Sequence, residues 1–189
     1  MANASTPTPS NRPLWQEAIS FAARAHRNQV RRDDRTPYVA HCVRVMLTIS
    51  QLFECHDEAL LAAAALHDTI EDTTTDYEDI AHRFGTDVAD LVAAMTKNMA
   101  LPEESREAQY DAQLAKADWR ARLIKLADTY DNLCDVETVP SERRARRERE
   151  SVERARRRWA ASSSVWRCAT TASAAATAAL SGMRVGSAR

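Results

Sequence analysis

From Leu14 onward the apolar residues recur at helical spacing, and nowhere does the chain alternate as a strand would. Leu14, Ala18, Phe21, Ala22 and Ala25 predict a first helix running to about Arg31. The polar stretch Arg31-Arg32-Asp33-Asp34-Arg35-Thr36-Pro37 reads as a loop. A second helix is expected from Tyr38 to about Phe53, with Val43, Val45, Met46, Leu47 and Ile49 as its buried set. Asp57 is placed to cap a third, Glu58 to about Ile70, that is Ala/Leu-rich nearly all round. A helix apolar on every side belongs at the centre of a fold.

Thr75-Asp76-Tyr77-Glu78 has the form of a capping box opening a short helix that stops at Gly85. Asp87 to Lys97 gives another, with Val88, Leu91, Val92 and Met95 inward, and two more are expected at about 103–116 and 118–135. The prediction is an all-α bundle of about eight or more helices, without internal repeats. Residues 1–13, rich in Pro, Ser, Thr and Asn, read as a disordered lead-in, and 14–139 as the folded core. Residues 140–160 are helical by propensity but almost wholly charged. From 161 onward Ala, Ser and Thr supply 18 of 29 residues, so 140–189 reads as a divergent tail of low complexity.

Composition narrows the function. The 189 residues include three glycines, Gly85, Gly182 and Gly186, which leaves no room for Gly-rich phosphate loops or dinucleotide fingerprints. The net charge of −1 conceals two halves: 141–189 holds 12 Arg and 4 Glu, whereas 1–140 holds 14 Lys+Arg against 23 Asp+Glu. No apolar run suggests an export signal or a membrane span, so a soluble cytoplasmic protein is expected. Cys42, Cys55, Cys134 and Cys168 lack CxxC spacing and read as reduced, mostly buried small hydrophobes. The tail's Arg/Glu run reads as a solvated helix. Nucleic-acid binding is not expected of it, because Trp159 and Trp166 stand alone without interleaved aromatics.

Chemistry concentrates at the end of the most apolar helix, LLAAAALHDTIEDT. Burying His67, Asp68, Glu71 and Asp72 beside such a helix is costly unless they pair or hold a cation. Glu71 follows His67 by four residues and Asp72 follows Asp68 by four, so each pair shares a face if the turn continues. A second acidic position, Asp128, sits in LIKLADTYDNL just past an inward run, with Asn132 one turn further on. With His41, three predicted helices offer two imidazoles and two carboxylates. Such mixed N/O ligation suits Mn²⁺, Fe²⁺ or Zn²⁺.

The segments AARAHRNQVRR, TPYVAH, AAALHDTIEDT, HRFGTDVADLVAAMT and LIKLADTYDNL, in that order over residues 14–139, resemble the hydrolase domain of the RelA/SpoT family. An HD dipeptide is common, but HDTIEDT followed by IKLAD-x3-N is specific. The resemblance is closest to the small single-domain, Mesh1-type (p)ppGpp hydrolases of the HD-domain superfamily. It implies that His41, His67, Asp68 and Asp128 bind one Mn²⁺ and that Glu71 and Asp72 handle protons and the attacking water. Arg31, Arg32 and Asn132 match positions near the substrate. His26 matches a further family position and reads as structural, while His56 and His82 read as surface residues.

The implied reaction removes pyrophosphate from the ribose 3′ position of ppGpp or pppGpp, leaving GDP or GTP. Alternatives are another nucleotide phosphohydrolase, such as an NADPH 2′-phosphatase, or a non-catalytic nucleotide-binding regulator. The chain departs from the family pattern at Asp34-Arg35, where Gly is usual, and at Cys42, where Pro follows the histidine. It also lacks a late Tyr, since its last is Tyr130. Trp159-Ala160 resembles a remnant of a family Trp-Ala pair, and Arg147 matches a family Arg.

Overall fold

The seven residues Leu60–Leu66 are all buried, and the helix that carries them is the axis of the fold. The computed structural model describes residues 12–135. Eight α-helices occur among them: α1 (Leu14–Ala25), α2 (Val39–Leu47), α3 (Glu58–Leu66), α4 (Thr69–Asp72), α5 (Tyr77–Phe84), α6 (Thr86–Met95), α7 (Glu103–Lys116) and α8 (Trp119–Cys134). The central α3 packs against α1, α2, α6 and α8. Its alanines permit this, because small side chains let four neighbours approach one helix closely while excluding water from all its faces. Asp57 caps it as expected, accepting a hydrogen bond from the Leu60 amide.

The inward residues predicted for α6, Val88, Leu91, Val92 and Met95, are all buried. The described residues contain no strand, only an isolated bridge between Val30 and Pro37. No described helix is long and apolar enough to cross a membrane. The expectations for 1–11 and 136–189 lie outside the described residues.

Several boundaries differ from the sequence expectation, each for a local reason. The first helix ends at Ala25, not near Arg31. Beyond it the backbone finds partners across the loop: Arg31 N donates to Thr36 O, and Tyr38 N to Gln29 O. The second helix ends at Leu47 and continues as one wider π-helical turn, Thr48–Leu52. Leu47 is 44% exposed rather than buried, because it follows Val45 by about 200° around the axis. His41 and Cys42 join Val45, Met46 and Ile49 inside, while Val43 is half-buried.

The expected helix to Ile70 breaks at His67-Asp68 and resumes as α4. Thr69 Oγ1 returns to Leu66 O at 2.7 Å, and Asp68 takes φ −101°, ψ 0°, which turns the chain between the two helices. The capping box is shifted by one residue. Asp76 accepts from Asp79 N, and the Asp79 carboxylate accepts from Asp76 N. Thr75 is engaged instead with Thr73. Cys42 is buried and Cys55 half-buried, but Cys134 is exposed; all three are free thiols.

Candidate active site

The break between α3 and α4 faces α2 and α8, and the ionisable residues of the core meet there. His41 comes from α2, His67 and Asp68 from the break, and Asp128 from the middle of α8. His41, His67 and Asp128 are each at most 4% exposed. One donor atom from each lies within 4.8 Å of the others. His41 Nε2 is 3.2 Å from Asp128 Oδ1, and the two rings meet edge to face with centroids 5.1 Å apart. Asp68 closes the fourth side, with Oδ2 3.0 Å from His67 Nε2 and 3.6 Å from His41 Nε2.

Backbone and neighbouring side chains aim these groups. His67 Nδ1 pairs with Ala64 O at 2.9 Å, which turns Nε2 toward the carboxylates. That Nε2 is buried and makes no hydrogen bond. An imidazole nitrogen enclosed with two carboxylates, yet bonded to neither, is what a shared cation would resolve. The donor set therefore fits a divalent metal ion.

The electrostatics agree. Burial alone would lower His41, but the carboxylates of Asp128, Asp131 and Asp68 around it push it up to about 10. His67 is also raised, with Asp68 outweighing its burial. Burial works against Asp68 and Asp128, yet His67 beside the first and Lys125 beside the second hold both well below the usual carboxylate range. Carboxylates and imidazoles enclosed in so small a volume are tolerated only because they face one another.

The other expected residues, Arg32 apart, ring this centre. Glu71 and Asp72 follow on α4. Glu71 Oε2 accepts from Lys97 N at 3.0 Å, and Asp72 Oδ2 accepts from the Tyr38 hydroxyl at 3.1 Å. Burial raises both carboxyls above their ordinary values, and the Asp68 charge adds to the effect. Asn132 Nδ2 donates to Asp128 Oδ1, and its Oδ1 accepts from Arg31 Nη2 at 2.8 Å. Arg31 also pairs with Asp135 at 2.9 Å and lies over the Tyr38 ring, whereas Arg32 is exposed on the loop. His26 is buried, with Nδ1 bonded to Gln29 at 2.7 Å and its ring stacked on Tyr38. His56 and His82 are exposed.

Five polar residues of this neighbourhood were not singled out from the sequence. Tyr38 donates to Asp68 Oδ2 at 2.7 Å, and Lys125 Nζ to Asp128 Oδ2 at 2.6 Å. Arg44, Asp131 and Asp135 form a third group behind His41. A signal was available on α8, where Asp128, Asp131 and Asp135 recur at one-turn spacing and so share a face.

The HD domain family model matches residues 18–153. The chain belongs to the HD domain family. Over 124 residues it is 41% identical to the guanosine-3′,5′-bis(diphosphate) 3′-pyrophosphohydrolase MESH1 of Drosophila melanogaster, covering 65% of this chain and 69% of that one. The Homo sapiens MESH1 is 39% identical over 121 residues, 64% of this chain and 68% of that one. A solved structure, described as a metazoan ortholog of SpoT that hydrolyzes ppGpp, superposes with a TM-score of 0.75 at 30% identity. The match covers 96% of this chain and 100% of that one. The HD signature of this member is the His67-Asp68 pair at the break between α3 and α4.

Proposed function

We propose that this chain hydrolyses the 3′-pyrophosphate of ppGpp and pppGpp, giving GDP or GTP plus pyrophosphate, and so lowers this stringent-response alarmone in the cytoplasm. The convergence of His41, His67 and Asp128 from three elements carries the reading, and the activity of the MESH1 relatives supports it. In this reading the hydrolase core is 14–139, and His41, His67, Asp68 and Asp128 hold one ion. Two imidazoles with carboxylates suit Mn²⁺. When bound, such an ion polarises the phosphoryl group and lowers the pKa of an attacking water.

The remaining work falls to side chains around the centre. Glu71, fixed by the Lys97 amide, takes a proton at its carboxylate, and its raised pKa brings it closer to the working pH. Asp72, held by the Tyr38 hydroxyl, serves as its partner in returning a proton. Asn132, already bonded to Asp128, orients the ribose side of the nucleotide. Arg31 and Arg32 provide planar guanidinium groups for phosphate oxygens on the rim. Arg31 is held in place by Asn132 and Asp135, so its position is set before a nucleotide arrives.

Incubation of the purified protein with Mn²⁺ and ppGpp, dNTPs or NADPH, followed by chromatography, tests the assignment. GDP and pyrophosphate from ppGpp are expected. Orthophosphate with NADH from NADPH, and nothing from ppGpp, would replace it with a 2′-phosphatase. Absence of turnover on every substrate would leave a binding protein.

A further inference from the structure

His41 has two ring nitrogens, and the described structure commits them to different neighbours. Nε2 faces Asp128 and Asp68. Nδ1, on the far side, lies 2.6 Å from Asp131 Oδ2. Asp131 is one turn after Asp128 on α8 and is 4% exposed. Its carboxylate is gripped on both oxygens by Arg44, one turn after His41 on α2. Arg44 Nε donates to Oδ1 at 2.5 Å and Nη2 to Oδ2 at 2.9 Å. Asp135 then accepts from the same Nη2 at 2.9 and 3.0 Å. The order Asp135–Arg44–Asp131–His41 is thus continuous and ends at the centre.

We propose that Asp131, clamped by Arg44, is a positioning residue that fixes the ring plane and the proton of His41, so that Nε2 presents its lone pair to the metal ion. The inference rests on the metal reading given above. Its physical basis is tautomer choice. A neutral imidazole offers one lone pair, and the hydrogen bond at the other nitrogen decides which. With Nδ1–H donated to Asp131, only Nε2 remains to ligate. A single hydrogen bond would let the carboxylate rotate, and the ring with it. Two bonds from a planar guanidinium remove that freedom and balance the buried charge. Lys125 does for Asp128, at the centre, part of what Arg44 does for Asp131 behind His41.

The competing role for the same pair is a staple between α2 and α8 that affects folding alone. Mn²⁺ titration of the metal-stripped protein, followed by water-proton relaxation, separates the two when read beside thermal unfolding. Asp131→Ala is expected to weaken Mn²⁺ binding about 10–100-fold. Arg44→Gln is expected to weaken it less, and to add under twofold in the Asp131→Ala background, since it acts through Asp131. Should Asp131→Ala fail to fold, Asp131→Asn keeps the volume. It is neutral, and its NH2 group cannot accept the Arg44 Nε bond that Asp131 Oδ1 takes, so the clamp loosens and weaker binding is again expected. In the Zn²⁺-loaded wild type, a slowly exchanging His41 Nδ1 proton should appear by NMR and vanish in the Asp131 variants. Wild-type Mn²⁺ affinity in folded Asp131 variants overturns the inference, whatever happens to Tm. Failure of the wild type itself to bind Mn²⁺ or Zn²⁺ overturns the metal reading, and this inference with it.

Discussion

His67 Nε2 lies 3.0 Å from Asp68 Oδ2, yet the two form no hydrogen bond. Adjacent residues on a continuing helix would point about 100° apart. The helix break at this dipeptide instead brings both side chains to one point. Close approach without bonding fits two ligands around a common ion.

His67→Ala and Asp68→Ala are therefore each expected to abolish Mn²⁺ binding and ppGpp turnover together. Isothermal titration with Mn²⁺ and product chromatography check this, and full activity in either variant would sink the ligand assignment.

Glu71→Gln is expected to behave differently. The amide keeps the size of the side chain and can still accept from Lys97 N, but it cannot take a proton. Turnover should fall roughly 10²–10⁴-fold. Mn²⁺ affinity should stay near wild type, which stopped-flow or steady-state rates beside a metal titration would separate. An equal loss of metal binding would make Glu71 a ligand.

Gly85 joins α5 to α6 at φ +89°, ψ 159°, a region that residues with a Cβ rarely enter. No heavy atom lies within 4 Å of where its Cβ would be, so crowding contributes nothing. Gly85→Ala should cost about 1–3 kcal/mol from backbone strain alone, read from urea unfolding. A neutral result would mean that the loop relaxes freely.

On the surface, Arg120 grips Asp87 with two hydrogen bonds of 2.7 Å, joining α8 to the start of α6. This pairing holds the Asp87 carboxyl below its ordinary 3.8. A carboxyl with a lower pKa folded than unfolded stabilises above the ordinary value, and loses that contribution as pH falls through the folded one. Asp87 is 59% exposed, so solvent screening limits the pair to about 0.2–1 kcal/mol. Asp87→Asn should lower stability by that amount near pH 7, and the difference should shrink as pH falls below 3.8. Denaturation followed from pH 7 downward decides it.

Much of this was legible in the chain because it depends on local order. Apolar spacing located α6, α7 and α8 within a residue or two, and the all-round Ala/Leu run placed α3 at the centre. The segments around His41, His67-Asp68 and Asp128 marked the ionisable centre, since chemistry of that kind is unusual beside so apolar a helix. Helix ends were less legible where side chains competed for the backbone. Thr69 bonding to Leu66 O, and Asp76 rather than Thr75 accepting from α5, are such cases.

By itself, then, the sequence determined an all-α core, its central helix and the residue types of a mixed imidazole–carboxylate centre. Periodicity and composition are properties of neighbours along the chain, and they survive without knowledge of the fold. Only the tertiary structure decided which acids face which cations. Tyr38 on Asp68, and Arg44 with Asp131 behind His41, are set by how α2, α8 and the α3–α4 break meet. His41 and Asp131 are 90 residues apart, and no spacing rule spans that distance. Burial supplies the reason for their precision: once water is excluded, each charge must meet its partner at bonding distance, and only packing can bring it there.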